Sequence, residues 1–71
     1  MITQEMINAL NAAGWQYTGI CDCSERAHKW KRRGYLLKAS VRSGLWNRWK
    51  GNRLDEVGGS ENIVQQNTGI Q

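Results

Sequence analysis

The chain has 71 residues, 39% of them hydrophobic and four of them Trp, enough for one domain with one modest core and too apolar for a disordered segment. No run approaches the roughly 18 apolar residues of a membrane-spanning helix, and Cys21 and Cys23 are too few for the disulfide framework of a small secreted domain. The formal net charge of +4 hides a sharper fact: all ten Lys and Arg fall between Arg26 and Arg53, and no Asp or Glu lies among them.

Thr3 to Ala13 reads as a helix. Thr3 suits the N-cap, Glu5 sits where the helix dipole favours an acid, and Ile2 with Ile7 can form a hydrophobic staple. Met6, Ile7, Leu10 and Ala13 make one apolar stripe, and Gly14 is placed to end the helix. The opening segment MITQEM has no basic region and no long apolar run, so no secretory signal is expected and the expected location is the cytoplasm.

After Gly14 the period becomes two. Trp15, Tyr17, Gly19, Cys21 and Cys23 alternate with Gln16, Thr18, Ile20 and Asp22, as in a half-buried strand. A second strand fits Ala27 to Arg32, and Arg33-Gly34 is a two-residue hairpin turn into a third, Tyr35 to Arg42. That turn pairs Arg32 with Tyr35, Trp30 with Leu37 and His28 with Ala39. One face then carries Trp30, Tyr35, Leu37, Ala39 and Val41, and the other Lys29, Lys31, Lys38, Ser40 and Arg42. A slip of one residue would mix the two sets.

Residues 43–57 fit either a hairpin or a helix. Gly51-Asn52 in mid-segment and Asp55 and Glu56 near the negative end of such a helix favour strands Leu45 to Lys50 and Arg53 to Val57. Turns at Ser43-Gly44 and Gly51-Asn52 would set Lys38 opposite Trp49 and Arg48 opposite Asp55. Gly58-Gly59 breaks the chain, Ser60 can cap a short helix to about Gln66, and 67–71 read as a frayed tail. The expectation is an α+β domain spanning 1–66, its N-terminal helix packed on an antiparallel meander of three to five strands, with a short C-terminal helix.

The separation of charges implies mutual repulsion that a polyanion would relieve. A cationic surface kept only for solubility is the alternative. Lysines and arginines in rows on a sheet can track phosphates, and a partly exposed Trp gives a base a stacking surface worth about 1–3 kcal/mol. Trp15, Trp30 and Trp46 read as core, in a chain without Phe, while the neighbours of Trp49 are charged. The expected contacts are Lys29, Lys31, Lys38, Arg42, Arg48 and Lys50 to phosphate, with Trp49 stacking. DNA or RNA is the expected partner. A protein–protein adaptor or inhibitor meeting an acidic protein is the alternative.

Cys21, Cys23 and His28 are the metal-ligating types that could converge, because i and i+2 on a strand point the same way. A closed zinc site wants four ligands, and there is no third Cys or second His, so no metal or other cofactor is expected and the thiols read as reduced. His28 stands among Lys29, Lys31 and Arg32, whose charges would lower its pKa and suit a ribonuclease base. The order helix, Gly14-Trp15, three antiparallel strands, terminal helix resembles the layout of double-stranded-RNA-binding domains and of HicA-type toxin endoribonucleases. Residues 10–15, LNAAGW, are similar to the helix end of that toxin family. Its Gly-Ser-His motif is absent, because Arg26-Ala27 precedes His28. The resemblance implies nucleic-acid binding, and for the toxins RNA cleavage by the histidine. Without the motif, the expectation is binding without catalysis.

Overall fold

In a computed structural model, which describes residues 1–21 and 26–69, Thr3 caps α1 (Gln4–Ala12). Its hydroxyl accepts from Met6 N at 3.2 Å, and Met6 Sδ accepts from Thr3 N at 3.5 Å, which settles two amides that no helical carbonyl can reach. Ile2 and Ile7 are both buried, as a staple requires. Gly14, at φ +103°, turns the chain out of the helix, and the amides of Gly14 and Trp15 return to Asn11 O and Leu10 O.

Five antiparallel strands follow in sequence order: β1 (Gln16–Cys21), β2 (Ala27–Arg32), β3 (Tyr35–Ser40), β4 (Trp46–Lys50) and β5 (Arg53–Gly58). A 3₁₀ turn over Ser60–Asn62 then leads into α2 (Ile63–Asn67). The α+β class, the meander and a helix at each end are as the sequence implies, and residues 43–57 form a hairpin rather than a helix; Ser60, expected as a cap, lies within the 3₁₀ turn instead.

The β2–β3 register is the one expected, with Arg32 opposite Tyr35 and His28 opposite Ala39. Arg33 (φ +38°) and Gly34 (φ +84°) both take the positive φ that a tight, right-twisted hairpin needs. The β3–β4 register, the β4–β5 pairing of Arg48 and the alternation along β1 differ from expectation. Leu36, not Lys38, lies opposite Trp49, a shift of two residues. The cause is the loop. Ser40 N donates to Leu45 O and Gly44 N to Ser40 O, while Ser40 Oγ accepts from Arg42 N and Ser43 N, so the chain turns over four residues instead of two. In β1 the register shifts between Tyr17 and Gly19, where Gly19 has φ +98°. The expected single face of β1 therefore splits: Tyr17 stands beside Trp30, and Ile20, not Cys21, stands beside His28.

Both helices cover one side of the sheet. Ile7, Leu10, Trp15, Trp30, Trp46 and Ile63 form the heart of the core between them. The three core Trp residues are at most 2% exposed. Trp15 Nε1 donates to Asn67 O at 2.7 Å, and Trp46 Nε1 donates to Gly59 O at 2.9 Å and Asn62 Oδ1 at 3.1 Å. These indoles tie the C-terminal segment to the sheet. Asn67, expected to begin a frayed tail, is the last residue of α2 and is 1% exposed. Residues 70 and 71 lie outside the described residues.

Candidate nucleic-acid interface

Alternation along the strands decides what the other side of the sheet displays. If Trp30, Leu37, Ala39 and Trp46 point into the core, their neighbours point away from it. No described element covers this second side. Register sets Lys29 opposite Lys38 and Lys38 opposite Asn47 in one row. The next row runs Gln16, Lys31, Leu36, Trp49 and Leu54 across all five strands. Trp49 is half-buried between Leu36 and Leu54, and Leu54 is 49% exposed. Beside Trp49 lies a shallow depression of about 430 Å³, lined by Leu36, Lys38, Asn47, Trp49, Gly51 and Asn52.

Of the residues expected to touch phosphate, Lys29, Lys31 and Lys38 share this open face with Trp49. Arg42 stands exposed in the turn after β3. Arg48 and Lys50 are on the helix side. Lys50 Nζ sits 5.4 Å from the centre of the Tyr35 ring. Arg48 is only 7% exposed. Its guanidinium donates to Asp55 Oδ2 (2.7 Å), Glu56 Oε1 (3.2 Å), Gln66 O (2.9 Å) and Asn67 Oδ1 (2.8 Å), leaving little for an outside phosphate. The sequence pairing of Arg48 with Asp55 is met by the side chains, although a shift between Arg48 and Trp49 makes Glu56 the ladder partner. The described carboxylates lie on α1, on the 3₁₀ turn, or around Arg48, so none stands on the open face.

Cys21 pairs with Ala27 in the ladder and His28 with Ile20, so Cys21 and His28 project to opposite sides of the sheet. Cys21 is disulfide-bonded rather than a reduced thiol, which removes the thiolate a metal would need. Cys23 lies outside the described residues. No cluster of three metal-ligating residues occurs among the described residues. His28 Nδ1 lies 2.7 Å from the Tyr17 hydroxyl. With Tyr17 donating, Nδ1 is the acceptor and the imidazole proton sits on Nε2. Burial lowers the His28 pKa below 6.5. The cause is desolvation, whereas the sequence reading invoked neighbouring cations.

Tyr17 reaches His28 because it pairs with Trp30, which shares a face with His28, and the register of β1 against β2 has no marker in the sequence. No helix among the described residues is long and apolar enough to cross a membrane. Comparison with protein-family models, curated proteins and solved structures finds no match. The likeness to the double-stranded-RNA-binding and HicA-type layouts is thus architectural, with five strands here in place of three.

Proposed function

We propose that this protein binds nucleic acid through the open face of its sheet and does not cleave it. One observation carries the reading: Lys29 lies directly opposite Lys38, with Lys31 and Trp49 in the next row and no described carboxylate to balance them. Like charges set opposite across a sheet destabilise it by roughly 0.2–1 kcal/mol. A phosphate backbone along the lysines would remove that repulsion. Trp49 then offers its exposed surface to an unpaired base, which favours single strands over duplex. The apolar row Leu36–Trp49–Leu54 supports a second reading, in which the face receives an acidic protein.

Fluorescence anisotropy with labelled single-stranded RNA and DNA at low salt tests both readings. Binding is expected, with a change in Trp emission and with the RNA recovered intact. The triple variant Lys29→Glu, Lys31→Glu, Lys38→Glu should stay folded and lose binding. Tight binding by that variant, or none by the wild type, refutes this interface. RNA cleavage that disappears in His28→Ala refutes the non-catalytic part.

A further inference from the structure

At one end of the sheet, where the β2–β3 turn passes the junction of α1 and β1, there is an open depression of about 590 Å³ lined by Gly14, Gln16, Lys31, Arg32 and Arg33. Three of its five lining residues are cations, and none of the three has an ion-pair partner among the described residues. The nearby C-terminus of α1 would oppose an anion if its carbonyls were free. Three of them are engaged: Ala13 N donates to Ala9 O and Leu10 O, Gly14 N to Asn11 O and Trp15 N to Leu10 O.

Two further features keep cations at this place. A Cβ on Gly14 would lie 3.0 Å from Arg32 Nε, so the missing side chain leaves room for the guanidinium. Arg33 occupies a left-handed turn position (φ +38°) that Asn or Gly adopts with less strain. An arginine there forgoes stability that a better turn residue would supply, as happens where a side chain serves binding.

We infer that this depression binds a phosphate monoester, the terminal phosphate of a nucleic-acid strand whose next nucleotides cross the open face. The inference rests on the binding reading above for the strand, while the phosphate site stands on the three cations. Lys31 belongs to both surfaces: it lines the depression and shares a row with Leu36 and Trp49. A terminal phosphate carries close to two charges near neutral pH against one for an internal diester. It therefore gains more from three unpaired cations, and the planar guanidinium groups of Arg32 and Arg33 can each meet two of its oxygens.

The test uses one oligonucleotide sequence in three forms: 5′-phosphorylated, 3′-phosphorylated and hydroxyl-ended. One phosphorylated form should bind about tenfold more tightly than the hydroxyl-ended one, the effect of one or two charge-assisted hydrogen bonds. Arg33→Asn, which relieves the turn, and Arg32→Gln should each reduce that preference while hydroxyl-ended binding persists. A second arm needs no strand. In amide NMR spectra, a mononucleotide or inorganic phosphate should shift Gly14, Arg32 and Arg33, and the nucleoside should not. Equal affinity for all three oligonucleotides overturns the inference and leaves the binding reading intact. No oligonucleotide binding, with phosphate still shifting those amides, overturns the binding reading and leaves the site. Phosphate shifts spread over all lysines, or absent at Gly14 and Arg33, overturn the site.

Discussion

Arg48 shows how a residue type can mislead when its face is unknown. In the sequence it is one more cation in a basic segment. In the fold it holds Asp55, Glu56 and the end of α2 together, with its guanidinium carbon 6.0 Å from the ring centres of both Tyr35 and Trp46. Removing it strands a buried acceptor on Asn67 and a partly buried one on Gln66, and breaking a buried, hydrogen-bonded pair costs about 3–5 kcal/mol. The half-exposed carboxylates soften this, so Arg48→Ala should lie near the lower end. A domain of this size holds roughly 4–10 kcal/mol in all. Arg48→Ala should therefore shift the urea midpoint far down, whereas Lys31→Ala should move it by no more than about 0.5 kcal/mol equivalent. Equal, small shifts would mean that the Arg48 network contributes nothing. His28 yields a pH effect of definite sign. Burial lowers its folded pKa, so the unfolded chain takes up the proton first as pH falls below 6.5. The contribution is complete above 6.5 and is lost as pH drops toward the folded value. Urea titrations at pH 7.5 and 5 should show a larger acid loss in wild type than in His28→Gln, and parallel losses would contradict it.

At the scale of elements, what was legible followed from local turns. Arg33-Gly34 alone set the β2–β3 register and with it the separation of Trp30 and Leu37 from Lys29 and Lys38. Gly51-Asn52 likewise set the start of β4–β5, where Lys50 meets Arg53. Legibility ended at features made by tertiary or side-chain hydrogen bonds. The Ser40 hydroxyl lengthened the β3–β4 loop and moved the register by two, which kept Trp49 on the open face because two is the side-chain period. The bulge at Gly19 and the shift between Arg48 and Trp49 move registers by one, which does change faces. The site was thus partly legible: the lysine rows came from one turn, but the burial of Arg48 depends on α2, far along the chain. That turn also offers a stability test. Asn adopts positive φ more readily than Arg, by up to about 1 kcal/mol, so Arg33→Asn should raise Tm, with a ceiling of roughly 4–8 °C. A lower Tm would show that the arginine is held there by a stabilising contact instead of strain.

Across the whole molecule, the sheet divides two kinds of cation use. On the helix side Arg48 is matched by acids, and on the open side Lys29, Lys31 and Lys38 are not matched by any described acid. Unmatched charge makes binding dependent on counterion release, so log affinity for a single strand should fall linearly with log salt. At about 0.7 per neutralised phosphate, three or four lysine and arginine contacts give a slope of about −2 to −3. Each residue class should leave a different mark on that line. Lys38→Gln removes one phosphate contact and should flatten the slope by about 0.7. Trp49→Ala removes stacking, which is insensitive to salt, and should shift the line down by about 1–3 kcal/mol equivalent at an unchanged slope. An acidic protein held on the Leu36–Trp49–Leu54 row reverses the balance, with a shallow slope and most of the affinity resting on the apolar contacts. Anisotropy titrations of wild type, Lys38→Gln and Trp49→Ala over a fourfold range of salt decide between them. If Trp49→Ala flattens the line and Lys38→Gln leaves it unchanged, phosphates do not lie along this face.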